Sequence, residues 1–256
     1  CLVCRFKDGG GRKSSPFYIM TIALPTYNSN PILWLQLEAL CNQETTHDWE
    51  LIVCEEVGAY YSGEKYLEPY LDRLKEAGCK RVKYIPLTSW VPLSQKWVII
   101  AQEARFENYA LCASDNYSPS DRIERSVEGL NDADWVDYSR GLFVDLNTFK
   151  TARWERPSEK RAGLFMATKT KFLQRLEAPY PKRNIDGWIK DQSPIKKRVQ
   201  VSKMPKGLHT DGANQISHHR AGMYVEEIKA PFQKDPHELR DLVPEYIVTE
   251  LQKRFG

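Results

Sequence analysis

The sequence predicts an α/β fold: a mostly parallel sheet with helices on both faces. Three observations carry this. Short, nearly continuous apolar runs alternate with stretches of helical period over the first 130 residues, as strands covered on both faces do. The ends of three of these runs carry polar or acidic side chains, at Pro25-Thr26-Tyr27-Asn28, Glu55-Glu56 and Ser114-Asp115-Asn116. A chain of 256 residues that is 41% hydrophobic can bury one large core or two small ones.

Residues 1–16 are rich in Gly, Lys and Ser and read as a flexible tail. Residues 18–24 form a first buried strand, broken at Pro25. A helix follows with Asn30 as N-cap, Pro31 in its first position, and a buried stripe of Leu33, Leu37 and Leu40. Residues 50–54 form a second strand. A helix over 62–77 carries Leu67, Tyr70, Leu71 and Leu74 on one face and stops at Gly78. A third strand spans 81–86, a third helix 93–105 and a fourth strand 109–113. Ser118-Pro119-Ser120-Asp121 then has the form of a capping box. Right-handed crossovers place all four strand ends on one edge of the sheet.

Beyond Leu130 the pattern changes. Residues 135–146 alternate like a pair of strands, 162–168 and 199–201 read as further strands, and Phe172-Leu173 as a short helical piece. A helix starts near Asp235-Pro236, is interrupted at Pro244 and continues through Ile247, Leu251 and Phe255. This tail is expected to dock on the body or on a second copy of the chain. The predicted organisation is a tail (1–16), a first half (17–130), a second half (131–215) and a C-terminal helical extension (216–256).

No apolar run approaches the roughly 20 residues of a membrane span. The six cysteines follow no disulfide framework, and Cys1-x-x-Cys4 lacks a partner pair, so a reducing, cytoplasmic setting is expected. The Asn116-Tyr117-Ser118 sequon is read as chance. The net charge is only +3, yet residues 150–206 hold sixteen Lys and Arg against five Asp and Glu, an excess of eleven. Such segregation suggests an anionic partner for one face, with a solvated surface as the equal alternative.

Four blocks at matching spacing resemble the GT-A fold glycosyltransferases, specifically the family 2 group of nucleotide-sugar transferases. Thr21-Ile-Ala-Leu-Pro-Thr-Tyr-Asn28 is similar to that family's opening "IVIPTYN", and Leu37-Glu-Ala-Leu-Cys-Asn-Gln43 to "LESLLNQ". Glu50-Leu-Ile-Val-Cys-Glu-Glu56 is similar to "EIIVVDD", and Ala110-Leu-Cys-Ala-Ser-Asp-Asn116 to a "FLDADD" metal motif. The resemblance covers residues 19–130 well and thins beyond.

The resemblance implies a GT-A, Rossmann-like sheet with a smaller mixed acceptor-side region. Pro25, Thr26, Tyr27 and Asn28 would lie against the base and ribose, with Glu55 or Glu56 accepting hydrogen bonds from a uracil ring. Lys96 would stand beside the diphosphate. Ser114, Asp115 and Asn116 would form the phosphate and metal turn, with Asp115 as the ligand to Mn²⁺ or Mg²⁺. Ala113 stands where the family's first acid is expected, so metal dependence is expected to be weak. Asp186, in Asn184-Ile-Asp-Gly-Trp188, corresponds to the family's catalytic base, with Asp191 as the substitute. His209 corresponds to a late histidine that returns to the metal or diphosphate; His218 and His219 could cluster with it.

The donor implied is a nucleotide sugar, most simply a UDP-sugar. The basic segment lies where the resemblance puts the acceptor, which suggests an anionic polymer. Its sharpest version is nucleic acid carrying a hydroxymethylated base, flipped out and stacked on Trp154 or Trp188. Cell-surface polysaccharide synthesis and a non-catalytic nucleotide-sugar or nucleic-acid binding module are the alternatives. A nucleotidyltransferase is disfavoured, since Pro25-Thr26-Tyr27-Asn28 is not a Gly-rich phosphate loop.

Overall fold

In the computed structural model the described residues are 3–5, 19–27, 30–146, 149–155, 162–178, 180, 185–199, 208–211 and 236–255. In chain order the first elements are β1 (Val3–Arg5), β2 (Ile19–Thr26), α1 (Asn30–Cys41), β3 (Asp48–Glu56), α2 (Leu71–Glu76), β4 (Cys79–Leu87), α3 (Leu93–Glu103) and β5 (Asn108–Leu111). There follow β6 (Asn116–Tyr117), α4 (Arg122–Leu130), β7 (Trp135–Tyr138), β8 (Arg140–Asp145), β9 (Thr151–Glu155), β10 (Leu164–Lys169) and α5 (Thr170–Gln174). The last are α6 (Ile185–Asp191), β11 (Lys196–Val199), β12 (Leu208–Asp211), α7 (Pro236–Leu242) and α8 (Glu245–Phe255).

The main sheet has eight strands in the order β1-β4-β3-β2-β5-β10-β7-β11. The pairs β4–β3, β3–β2, β2–β5 and β7–β11 are parallel; only β1 and β10 run against the rest. The carboxyl ends of β2, β3, β4 and β5 therefore share one edge, as the sequence predicts. A smaller sheet, β6-β12-β8-β9, stands beside it.

Alternation along the strands divides the core in two. Met20, Ile22 and Leu24 of β2, with Leu51 and Val53 of β3, pack under Leu33, Leu37 and Leu40 of α1 and under α4. Ala23, Ile52, Cys54, Tyr109 and Leu111 point the other way, against Trp97, Ile100 and Ala101 of α3, Leu173 of α5 and Ile189 of α6. The predicted stripe on α1 thus faces the sheet, but its other side is buried as well. Ile32, Trp34, Leu35 and Ala39 meet Tyr117, the small sheet, and Leu242, Ile247, Val248 and Leu251 of the C-terminal helices. A helix apolar all round is one covered from both sides.

The C-terminal tail accordingly docks on its own chain, and its apolar residues are spent there. An oligomer formed through this helix, one of the two sequence expectations, is not what the structure supports. Leu251 is fully buried. Leu251→Ala is expected to cost about 3 kcal/mol of stability, measured by urea unfolding.

Five local expectations need correction. Val3–Arg5, inside the predicted tail, pairs antiparallel with β4. The helix expected over 62–77 is split: a 3-10 turn spans Glu64–Tyr70 with Pro69 inside it, and only then does α2 begin. Proline has no N–H to continue an α-helical ladder. The capping box at 118–121 does not form, since α4 starts at Arg122 and Asp121 makes no side-chain cap. Ser118 Oγ is instead held by Gln36 and Arg122. The two strands expected over 135–146 form but do not pair with each other, since β7 joins the large sheet and β8 the small one. The strand expected at 199–201 lies at Lys196–Val199 and is not the last, since β12 follows it. Among the described residues, no helix is long and apolar enough to cross a membrane.

Candidate functional site

Ligands of open parallel sheets collect outside the carboxyl strand ends, so the site is built from that edge. Strand β2 ends at Pro25-Thr26. Thr26 is buried, and its Oγ1 finds no hydrogen-bond partner among the described residues. Tyr27 follows, half-buried, with Lys96 Nζ 5.4 Å from its ring centroid. Asn28 lies outside the described residues.

Lys96 sits on α3 and is buried, not exposed on its helix. Its Nζ lies 2.7 Å from Glu56 Oε1 and donates to the Thr26 carbonyl at 2.9 Å. Burial pulls the ammonium below its usual pKa, and Glu56 opposes that shift. Lys96 therefore ties the end of β2 to the end of β3 from the α3 face.

Consecutive residues of a strand point to opposite faces, so Glu55 and Glu56 diverge. Glu55 accepts from the backbone N–H of Ser62 at 2.9 Å and of Gly63 at 3.0 Å, and from the Tyr84 hydroxyl at 2.6 Å. Glu56 Oε2 accepts from the Val91 N–H at 2.7 Å. Each carboxylate is about 1% exposed. Glu55 holds down the loop after β3, and Glu56 the loop after β4.

At the end of β5 the chain turns through Ser114 and Asp115 into β6. Ser114 is buried and Asp115 half-buried. Asn116 is 9% exposed, and its Oδ1 is a buried acceptor with no partner among the described residues. The backbone of His209 pairs with that of Asn116 across β12–β6. It lies within a strand rather than after the last one.

A residue that the sequence reading missed supports this turn from below. Arg122 is 2% exposed, and it donates to Leu111 O at 2.8 Å, Ser118 Oγ at 2.7 Å and Cys112 Sγ at 3.0 Å. Its guanidinium lies 5.5 Å from the Phe165 ring centroid. The signal was present in the small residues that follow it on α4, Ser126 and Gly129. A Cβ on Gly129 would come within 2.8 Å of Val136 Cγ2.

Asp186 lies in the first turn of α6, half-buried. That helix packs through Ile185 and Ile189 on the α3 side of the sheet, the side that also holds Lys96. Its anchor is a second residue missed from sequence. Asp137, fully buried, accepts from Arg198 at 2.6 and 3.0 Å, Lys190 at 3.1 Å, Trp135 Nε1 at 2.9 Å and Gly163 N at 2.7 Å. Burial alone would raise its pKa, but Arg198, Trp135 and Lys190 hold it below the ordinary carboxylate value. Gly163 is required there, since a Cβ would sit 2.2 Å from Tyr138 O. Asp191 is exposed at the end of α6.

The edge thus gathers Pro25, Thr26, Tyr27, Lys96 and the Ser114–Asn116 turn, while Glu55 and Glu56 are turned inward. Trp188 packs edge-on against Tyr180, with centroids 6.5 Å apart, and Trp154 is buried beside Phe143. Trp154 is therefore not an open stacking surface. His218 and His219 lie outside the described residues, and no three His, Cys, Asp or Glu side chains converge among those described. A cleft of about 740 Å³ lined by Asn42, Arg73, Tyr117 and Arg240 contains none of the predicted site residues.

No protein-family model and no curated protein matches the chain in sequence. Solved structures do. TarS 1-349 from S. aureus in complex with UDP-GlcNAc superposes with a TM-score of 0.58 at 13% identity, over 93% of this chain and 71% of that one. The S. aureus TarS structure gives 0.56 at 12% identity over 76% of this chain, which spans only 37% of that protein's length. The mannosyltransferase PcManGT from Pyrobaculum calidifontis, in complex with GDP-Man and Mn²⁺, gives 0.52 at 13% identity, covering 82% and 62% of the two chains. A mostly parallel sheet flanked by helices is the fold this chain shares with these structures, one solved with UDP-GlcNAc and another with GDP-Man and Mn²⁺.

Proposed function

We propose that the chain is a glycosyltransferase that moves a sugar from a nucleotide-sugar donor to an acceptor hydroxyl. The observation that carries this is the gathering of Thr26, Tyr27, Lys96 and the Asp115 turn at one sheet edge, in a fold whose solved examples hold UDP-GlcNAc and GDP-Man. UDP is the proposed nucleotide. Asp186 is the proposed base: it takes the proton from the acceptor hydroxyl as that oxygen bonds to the anomeric carbon. The bond to the diphosphate breaks on the opposite face, and its electron pair leaves with the nucleotide, inverting the centre.

The turn fits a divalent cation. Asp115 offers a carboxylate, and the orphaned Asn116 Oδ1 offers a second hard oxygen, the ligand type Mg²⁺ and Mn²⁺ prefer. Backbone pairing of His209 with Asn116 makes it the third candidate. A bound cation would supply positive charge to the leaving diphosphate.

The proposed acceptor is a hydroxyl on an anionic polymer, with hydroxymethylated DNA as its sharpest form. Exposed Arg175 and Lys196 support a basic face in the 150–206 segment. A neutral surface glycan is the second reading, because part of that charge is already matched. Lys190 and Arg198 meet Asp137, Lys169 meets Glu107, and Lys197 meets Asp132. Cys41, Cys54, Cys79 and Cys112 are free thiols, in keeping with the proposed cytoplasmic setting.

The test is nucleoside diphosphate release from UDP-GlcNAc, UDP-Glc and GDP-Man, with Mn²⁺ or EDTA, followed by labelling of hydroxymethylated DNA, plain DNA and polysaccharide. Release that rises with Mn²⁺ and with one acceptor is expected. Binding without release from any donor would make the chain a binding module.

A further inference from the structure

The two carboxylates expected to read the base cannot reach one. Glu55 and Glu56 are each about 1% exposed, and both are engaged with backbone N–H groups of the loops that follow β3 and β4. What those loops present to solvent is aromatic. Tyr60 and Tyr61 are 42% and 43% exposed on the first, and Trp90 is 58% exposed on the second. These are three of the six large apolar side chains exposed among the described residues, and Val57, on the first loop, is a fourth.

Their placement follows from the strand. Glu55 and Glu56 point to opposite faces of β3, so each pins its loop on a different side of that strand's end. Tyr61 stands on the α1 side, hydrogen-bonded to Tyr84, and Tyr60 precedes it on the same loop. Trp90 stands on the α3 side, next to Val91. The Val57 N–H bonds the Leu87 carbonyl at 3.2 Å and joins the bases of the two loops. The carboxyl end of β3 lies between these rings, beside Thr26 and Lys96 at the end of β2.

We propose that the donor's nucleobase is held by stacking on Trp90 and the Tyr60–Tyr61 loop, and that no carboxylate reads its edge. This rests on the nucleotide-sugar reading above. Every base presents a π-face, so stacking tolerates base identity where a buried acid would select uracil. The site takes purine and pyrimidine nucleotides alike. The inward turn of Glu55 and Glu56 is then the structural cause of relaxed base selectivity.

The test is calorimetric titration of the full chain with UDP, GDP and ADP, and with inorganic pyrophosphate as a probe lacking a base. The three nucleotides are expected to bind within about fivefold of one another and at least about tenfold more tightly than pyrophosphate. Trp90→Ala should weaken all three about tenfold and leave pyrophosphate unchanged, while Trp90→Phe restores most of the affinity. Trp90 is exposed, so neither change threatens the fold. A preference for UDP above about 30-fold, or unchanged nucleotide affinity in Trp90→Ala, overturns the stacking proposal and leaves the transferase reading standing. Failure of every nucleotide and of pyrophosphate to bind overturns both.

Discussion

Asp137→Asn is expected to destabilise the protein by about 3–5 kcal/mol, lowering the melting temperature by roughly 10 °C. The carboxylate is fully buried between Arg198 of β11 and Lys190 of α6. An amide of the same shape leaves two cations in the interior with no counter-charge, which is the costly way to break a buried ion cluster. Calorimetry at neutral pH measures the loss.

The same residue sets a pH dependence. The folded pKa of Asp137 lies below its unfolded value, because Arg198, Trp135 and Lys190 outweigh the opposing effect of burial. Its contribution is therefore complete above the unfolded pKa of about 4 and is lost as pH falls through the depressed folded value. The stability difference between wild type and Asp137→Asn should be constant from about pH 5 to 7 and narrow below about pH 4. A difference that grows in acid would contradict this assignment. Asp137 also fixes α6, so the variant should lose transfer more steeply than nucleotide binding.

Asp115→Ala is expected to reduce nucleoside diphosphate release by at least about 10²–10³-fold. It removes the carboxylate proposed to hold a cation against the leaving diphosphate. Asp115 is only half-buried, so the melting temperature should hardly move. The converse change, Ala113→Asp, restores the acid that the related motif carries in that place. It should lower the Mn²⁺ concentration needed for half-maximal release. Wild-type activity that ignores both EDTA and Mn²⁺ would remove the cation from this turn.

Much of this was legible in one dimension. Buried strands announce themselves as apolar runs, and their order with intervening helices fixes a parallel edge, so the positions of Thr26, Glu56 and Asp115 on that edge follow from spacing. The destination of a side chain on that edge does not. Glu55-Glu56 looks like two acids offered to a ligand, yet period-two alternation sends one to each face, where each meets a loop N–H. The burial of Lys96 was not legible, because its partner Glu56 lies forty residues earlier in the chain. Asp137 was missed for a related reason. A charged residue inside an apolar element reads as an edge or an exposed face until its distant partners are known. For Asp137 these are Lys190 and Arg198, far along the chain.

The Tyr246 hydroxyl donates to Glu38 across 208 residues of chain, and Asn42 donates to that hydroxyl and to Tyr117. With Leu242, Ile247, Val248 and Leu251, these contacts close the outer side of α1. While the chain is being synthesised, Ile32, Trp34 and Leu35 are made early, and their cover arrives only when residues 236–255 have left the ribosome. Throughout translation the growing chain therefore carries an open apolar helix face, the kind of surface that holding chaperones grip.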